Sequence, residues 1–238
     1  MKKKAIVTGA NGKLGRVFVE SLVSKGYFVY AIDITIEGFE HSDNIQLVQL
    51  DITDQEAVHA FFLSVHDLSL LINNAGIGVF TPFEDRTAAE FKKVMEVNLL
   101  GSFLMSQSAI KIMKQIGRGK IINIASIYGS TSSDERIYGD SGRNNSEVYS
   151  ATKAGVINMT KYMAAHFGKY NIQTNAISPG GIYSQQSDDF VTNYEYKTPM
   201  QRMGNIEDLL STLFYLISED TTYTNGQNIS VDGGFLAW

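Results

Sequence analysis

Along the chain, short apolar runs alternate with stretches whose apolar residues recur at helical spacing. Seven runs read as strands: "KAIVTG" (4–9), "FVYAIDI" (28–34), "IQLVQLD" (45–51), "LSLLINNAG" (68–76), "KIINIAS" (120–126), "IQTNAISPG" (172–180) and "NISVDGG" (228–234). Most are apolar throughout rather than alternating, as strands covered on both faces of a parallel sheet are. Helical patterns lie between them, at about 14–25, 54–65, 85–116, 148–168 and 205–218. "TDQEAVHAFF" (53–62) opens as a helix does, with Thr53 or Asp54 as cap and an acidic first turn.

Strict alternation of strand and helix builds βαβ units. It predicts one α/β domain over 1–238, a doubly wound parallel sheet of about seven strands with helices on both faces. Two polar stretches, 127–147 and 181–203, break the rhythm. Each follows a strand, so each is expected as a substrate loop at the carboxyl edge of the sheet, where open α/β sheets bind ligands.

"AIVTGANGKLGRVF" reads as strand, glycine turn and helix. Gly9, Gly12 and Gly15 let the backbone turn sharply and approach a pyrophosphate, and the opening helix offers it free N–H groups. That is the nucleotide turn of a Rossmann fold, and it places the cofactor against Gly9, Asn11, Gly12, Lys13, Leu14 and Gly15. Asp33 ends the second strand, where a carboxylate accepts from the adenosine ribose hydroxyls and repels a 2′-phosphate. NAD is therefore expected, with NADP kept open by the nearby Lys13 and Arg16. Asp33 as a simple strand-end cap is the alternative. Asp51 and Ile52, closing the third strand, would flank the adenine, unless Asp51 caps the next helix.

Composition narrows the partners. With 44% hydrophobic and 19% charged residues the chain is globular in character. A net charge of -5 offers no basic excess for nucleic acid. Zero cysteines exclude disulfides and thiolate metal sites and fit a reducing cytoplasm. His41, His59, His66 and His166 lack ligand spacing, so no metal is expected. The apolar stretch after "MKKK" ends at Gly9, too soon for a secretion signal, and no run approaches the roughly 18 apolar residues of a membrane span.

"VYSATKAG" puts Tyr149 and Lys153 four apart, on one face if 148–168 is helical. Together with "TGANGKLG", "NNAG" (73–76), Asn98 in "VNLLG", Ser126 in "NIAS", "SPGGI" (178–182) and the terminal "VDGG", it resembles the short-chain dehydrogenase/reductase family. The motifs follow the family's order over essentially the whole chain. The resemblance implies hydride exchange between nicotinamide C4 and a carbonyl or secondary alcohol. Tyr149 would be the acid/base, its phenol (ordinarily pKa about 10) lowered by the Lys153 ammonium. Ser126 would stabilise charge on the substrate oxygen, and Asn98 would support a water-linked proton path; a buried amide satisfying backbone groups is the alternative for Asn98. Asn74, Ala75, Gly76, Pro179, Gly180, Ile182 and Ser184 would line the cofactor, which Lys153 also binds at the nicotinamide ribose.

Some positions depart from the family pattern. Lys13 stands where a glycine is usual and Gly12 lies one place earlier, so an altered turn with Lys13 near the entrance is expected. Ser184 replaces a common threonine. Twenty-three residues separate Ser126 from Tyr149, more than the family commonly shows. The excess is the 127–147 insert, whose Tyr128, Arg136, Tyr138 and Arg143, with Tyr183 downstream, would meet a polar or anionic substrate; a plain surface insertion is the alternative. Tyr194 and Lys197 have the wrong spacing for a second acid/base pair and read as ordinary loop.

"SIYG", the insert, "NNSEVYSATKAG", "SPGGI" and the terminal tryptophan resemble oxidoreductases of flagellin modification and nonulosonic-acid synthesis, which implies a sugar or sugar-nucleotide substrate. An epimerase or dehydratase with tightly bound NAD, and a catalytically silent nucleotide sensor, are the competing readings. The resemblance further implies homodimers or homotetramers built through 101–116 and 149–168. The "FLAW" tail would pack on a neighbour or on its own core.

Overall fold

The computed structural model describes residues 2–39, 42–141, 143 and 145–238, so His41 lies outside the described residues. Seven strands form one sheet: β1 (Lys4–Thr8), β2 (Phe28–Asp33), β3 (Ile45–Gln49), β4 (Leu68–Asn73), β5 (Gly119–Ile124), β6 (Ile172–Pro179) and β7 (Asn228–Val231). The order is β3-β2-β1-β4-β5-β6-β7, and every pairing is parallel. The chain runs outward from β1 to β3, then crosses back over β1 to β4. The carboxyl ends of β1 and β4 therefore flank the crevice where the winding direction reverses.

Both faces are covered, as the unbroken apolar strands demanded. Along β1, Ala5 and Val7 enter one core while Ile6 enters the other. The first core is closed by α1 (Lys13–Ser24) through Phe18, Val19 and Leu22, and by α7 (Leu210–Ile217) through Leu213 and Leu216. The second is closed by α2 (Gln55–Leu63), α4 (Ser102–Ile116) and α5 (Glu147–Phe167), which bury Val58, Met105, Met113 and Met163. Each such side chain contributes about 1.5–3 kcal/mol over an exposed one, so the cross-sheet pairing is held by side chains as much as by the ladder.

The helix expected over 85–116 is not continuous. α3 (Ala88–Met95) starts at a capping box made by Thr87 and Glu90, and a π-helical stretch, Glu96–Gly101, separates it from α4. Such wide turns occur mostly as functional interruptions of a helix, and this one carries Asn98.

The two polar stretches hold more structure than loops. Within 181–203 lies α6 (Asp188–Lys197), which is a correction to the sequence reading. Its Phe190 and Tyr194, four apart on one face, pack with Ile127, Ile137 and Phe235 in a third apolar cluster. Tyr194 is thus a core residue, 2% exposed, and not ordinary loop. The surrounding Ser, Gln, Asp and Asn residues diluted that helical spacing below notice. The 127–147 insert supplies buried Ile137 and Tyr138 to the same cluster, so it is no plain surface insertion. The tail packs on its own core: the Phe235 ring stacks on Tyr194 at 5.0 Å, and the Trp238 indole N–H donates to the Lys197 carbonyl at 3.1 Å.

Candidate active site

The glycine turn leaves the end of β1 with Gly9 at φ 63°, and a Cβ there would stand 2.7 Å from the Ala75 Cα. A Cβ on Gly15 would stand 2.1 Å from the Gly9 carbonyl oxygen, so both positions admit only glycine. β4 is locked to this turn by Thr8, whose hydroxyl accepts from the Asn74 and Ala75 N–H groups at 3.0 and 3.1 Å. The Asn74 amide donates to the Thr8 and Gly9 carbonyls at 2.9 and 3.0 Å.

α2, α3 and α5 are capped by the side chains of Asp54, Thr87 and Ser146, whereas no side chain caps α1. Its first turn also carries no acidic residue and holds Lys13. That is how a helix start fits an external anion. A cleft of about 390 Å3 opens there, lined by Gly9, Gly12, Lys13, Leu14, Asp33, Asp51, Ile52, Asn74, Ala75 and Gly76, with Ile77, Lys93 and Val97 added by the fold. These residues fit a dinucleotide: an uncapped helix start for the diphosphate, and a carboxylate at each neighbouring strand end for sugar hydroxyls.

Asp33 accepts from the Asn11 and Thr35 N–H groups at 2.8 and 3.3 Å, and so also shapes the turn. Arg16 donates to the Gly38 and Glu37 carbonyls at 2.6 and 2.7 Å and is spent on bracing the segment after β2. Asp51 lies two residues beyond β3, and Thr53 holds it below the usual carboxylate range through backbone and hydroxyl hydrogen bonds. The cap of α2 is Asp54, not Asp51. Lys13 opens α1, and its ammonium donates to the Ser184 hydroxyl across the cleft entrance.

A second cavity, about 330 Å3, lies on the far side of the 76–78 segment and brings together Ser126, Tyr149, Pro179 and Gly180. Ser126 lies two residues beyond β5 and accepts from the Tyr128 N–H at 3.1 Å. Tyr149 enters from the first turn of α5, set by Ser146 accepting its N–H at 3.3 Å. Burial pushes the Tyr149 phenol above its ordinary value, and a hydrogen bond from Ser126 works against that rise.

Lys153 is buried; its ammonium donates to the Ile124 carbonyl at 2.8 Å and lies 5.5 Å from the centre of the Tyr149 ring. Burial brings its own pKa down to about 8. The expected lowering of the phenol by Lys153 therefore does not prevail in the protein alone, because desolvation of both groups outweighs their attraction. Lys153 stands at the seam of the two cavities: a Cβ on Gly76 would meet its nitrogen at 3.4 Å.

Asn98 has the bonding of the alternative reading, a buried amide that satisfies backbone groups. Its amide oxygen accepts from the Ile77 N–H at 2.8 Å, and its amide nitrogen donates to the Ile77 carbonyl at 3.0 Å and to the Thr152 hydroxyl at 3.1 Å. Both amide hydrogens are taken. The side chain clamps the partition between the cavities instead of presenting a free group to water.

Among the substrate residues expected from the sequence, Tyr128, Tyr138 and Arg143 line the second cavity. Arg136 does not: it is exposed and forks onto Asp134 at 2.8 Å. Tyr183 is half exposed and also outside the lining, its N–H donating to the Gly204 carbonyl at 2.8 Å. Ile182 bridges Gly204. The fold adds Phe80, Gln186, Phe190 and Tyr194. The Tyr194 hydroxyl accepts from the Gly181 N–H and pins the start of the 181–187 segment; burial raises its pKa to about 12. Burial raises Tyr128 too, and the neighbouring Tyr138 phenol adds to the rise. Of these phenols, Tyr149 is the one whose rise the Ser126 hydroxyl opposes.

A nucleotide cleft and a Ser–Tyr–Lys cavity sharing one partition define an oxidoreductase of the short-chain type. The family model described as enoyl-(acyl carrier protein) reductase matches residues 9–236. The chain belongs to the short-chain dehydrogenase/reductase family, whose members use NAD(P). It is similar to D-arabinitol 2-dehydrogenase (ribulose-forming) of Scheffersomyces stipitis, 33% identical over 98% of this chain and 94% of that protein. It is similar to gluconate 5-dehydrogenase of Gluconobacter oxydans, 30% identical over 97% of this chain and 93% of that protein. Among solved structures, a short-chain dehydrogenase from Leptospira borgpetersenii with bound NAD+ superposes with a TM-score of 0.94, at 44% identity, covering 99% of this chain and 93% of that one. No helix of the described residues is long and apolar enough to cross a membrane, and no group of three or more acidic or histidine side chains among them is placed to hold a metal ion.

Proposed function

We propose that the protein interconverts a secondary alcohol and a ketone on a sugar-like small molecule, with NAD as its cofactor. The observation that carries this is that Ser126 and Tyr149 line one cavity, with the Lys153 ammonium 5.5 Å from the Tyr149 ring and against Gly76 of the nucleotide cleft. Bound in that cleft, the nicotinamide ring accepts or supplies the hydride. Tyr149 moves the proton at the substrate oxygen, Ser126 donates to that oxygen as charge develops, and Lys153 supplies the positive charge that offsets a phenolate. Asn98 and Thr152 hold the partition and the first turn of α5 in register.

Asp33 at the end of β2, with Arg16 spent on carbonyls, favours NAD over NADP. The polyol and sugar-acid relatives support a sugar-like substrate. The finer reading, a sugar of bacterial surface-glycan synthesis, rests on the insert and the terminal motifs. Self-association through α4 and α5 is supported by Phe103 and Tyr162, apolar rings left exposed on those helices.

The test is Tyr149→Phe, assayed by absorbance of the reduced nicotinamide over a panel of polyols and sugar acids. The expected result is a fall of about 10²–10⁴ in kcat with NAD affinity unchanged. Product formed without net change in the nicotinamide would point to an epimerase or dehydratase instead. Undiminished turnover in the variant would sink the proposal.

A further inference from the structure

The Ser126–Tyr149 cavity is lined by phenols, aromatic rings, hydroxyls and amides, and among its described lining residues one carries a formal charge: Arg143. No carboxylate lines it. The other arginines near the site are spent: Arg16 on the carbonyls of Glu37 and Gly38, Arg86 on Glu147 and the Thr81 carbonyl, Arg136 on Asp134. Arg143 is held differently. Its guanidinium lies over the Phe80 ring, 4.2 Å from the centroid, and it pairs with no carboxylate among the described residues. Stacking on a ring occupies the face of a guanidinium and leaves its in-plane N–H donors directed outward. A cation so placed, with no described residue taking its side-chain donors and no carboxylate among the described lining residues, is a preformed half of a bidentate anion contact.

We infer that the substrate is an anionic sugar-like molecule, whose carboxylate or phosphate is held by the Arg143 guanidinium while its reacting alcohol or ketone carbon lies at Ser126 and Tyr149. The inference rests on the alcohol–ketone reading above and adds the substrate's charge to it. It also gives the insert its use: 127–147 carries Arg143, and its Ile137 and Tyr138 anchor the insert in the third apolar cluster. A neutral polyol of the same length would fill the same space but leave the guanidinium to water.

The experiment uses three probes on one six-carbon frame: glucitol (neutral), gluconate (carboxylate) and glucitol 6-phosphate (phosphate). Each is titrated calorimetrically against the enzyme–NADH complex and assayed for oxidation with NAD, in the native protein, Arg143→Gln and Arg143→Lys. The expected result is tighter binding of at least one anionic probe than of glucitol. Arg143→Gln should weaken that probe about 10- to 100-fold, with glucitol and NADH affinities unchanged and Arg143→Lys intermediate. Preference for gluconate identifies a carboxylate, and preference for glucitol 6-phosphate a phosphate. If glucitol binds and reacts as well as the anions, or Arg143→Gln shifts all three probes alike or none, the anion contact is refuted while the oxidoreductase reading stands. If NADH binds but no probe binds or reacts, both readings fall.

Discussion

Replacing Lys153 by methionine should make this protein more stable and inactive at once. Methionine keeps the aliphatic stem and removes the ammonium. In the folded chain burial holds the Lys153 pKa down to about 8, from an ordinary 10.5. That difference makes the charged form about 3 kcal/mol less favourable in the fold than in the unfolded chain at neutral pH. Against it stands the hydrogen bond to the Ile124 carbonyl at 2.8 Å, whose loss costs about 1–3 kcal/mol. The expected net gain is about 1 kcal/mol, or about 2–4 °C in Tm for a chain of this size.

The pH dependence separates this account from a packing effect. Because the folded pKa lies below the unfolded one, the unfolded chain binds the extra proton between pH 8 and 10.5, and native stability rises across that window. Lys153→Met has no such term. Its advantage should therefore be full at pH 7 and shrink toward pH 10. Urea melts of both proteins without nucleotide, at pH 7 and pH 10, measure it. A variant less stable than the native protein at pH 7, or a difference that does not change with pH, would refute the reasoning. Turnover should be lost in either case.

Two further perturbations test the cofactor and substrate sides separately. Asp33→Ala should weaken NAD about tenfold (about 1.4 kcal/mol) and NADP less, narrowing the preference in fluorescence titrations; equal losses would mean that Asp33 only braces Asn11 and Thr35. Tyr194→Phe leaves the Gly181 N–H without its acceptor, at about 1–3 kcal/mol. It should lower the urea midpoint and raise substrate KM with NAD affinity intact, and an unchanged midpoint and KM would show that this bond does not hold the 181–187 segment.

Much of the molecule was legible along the chain because its signals are local. An apolar run with no alternation must be covered on both faces, so the parallel sheet followed from composition within each strand. Gly9 and Gly15 follow from backbone sterics alone. α5 was legible as the helical pattern over 148–168, and the structure adds Ser146 as its cap. α6 stayed hidden because three apolar residues in a polar stretch mean little until Phe235 and Ile127 arrive beside them from distant parts of the chain.

Function shows the same division. Residue types and their order singled out a tyrosine, a lysine and a serine as the groups to act on a nicotinamide. Tertiary structure decided their electrostatic states, since desolvation depends on everything packed around a group: it brought Lys153 to about 8 and pushed Tyr149 up instead of down. It also decided that Asn98 clamps Ile77, that Arg136 turns to Asp134, and that Arg143 faces the cavity. Neighbours along a chain fix backbone conformation, while charge, proton affinity and reach are fixed by neighbours in space.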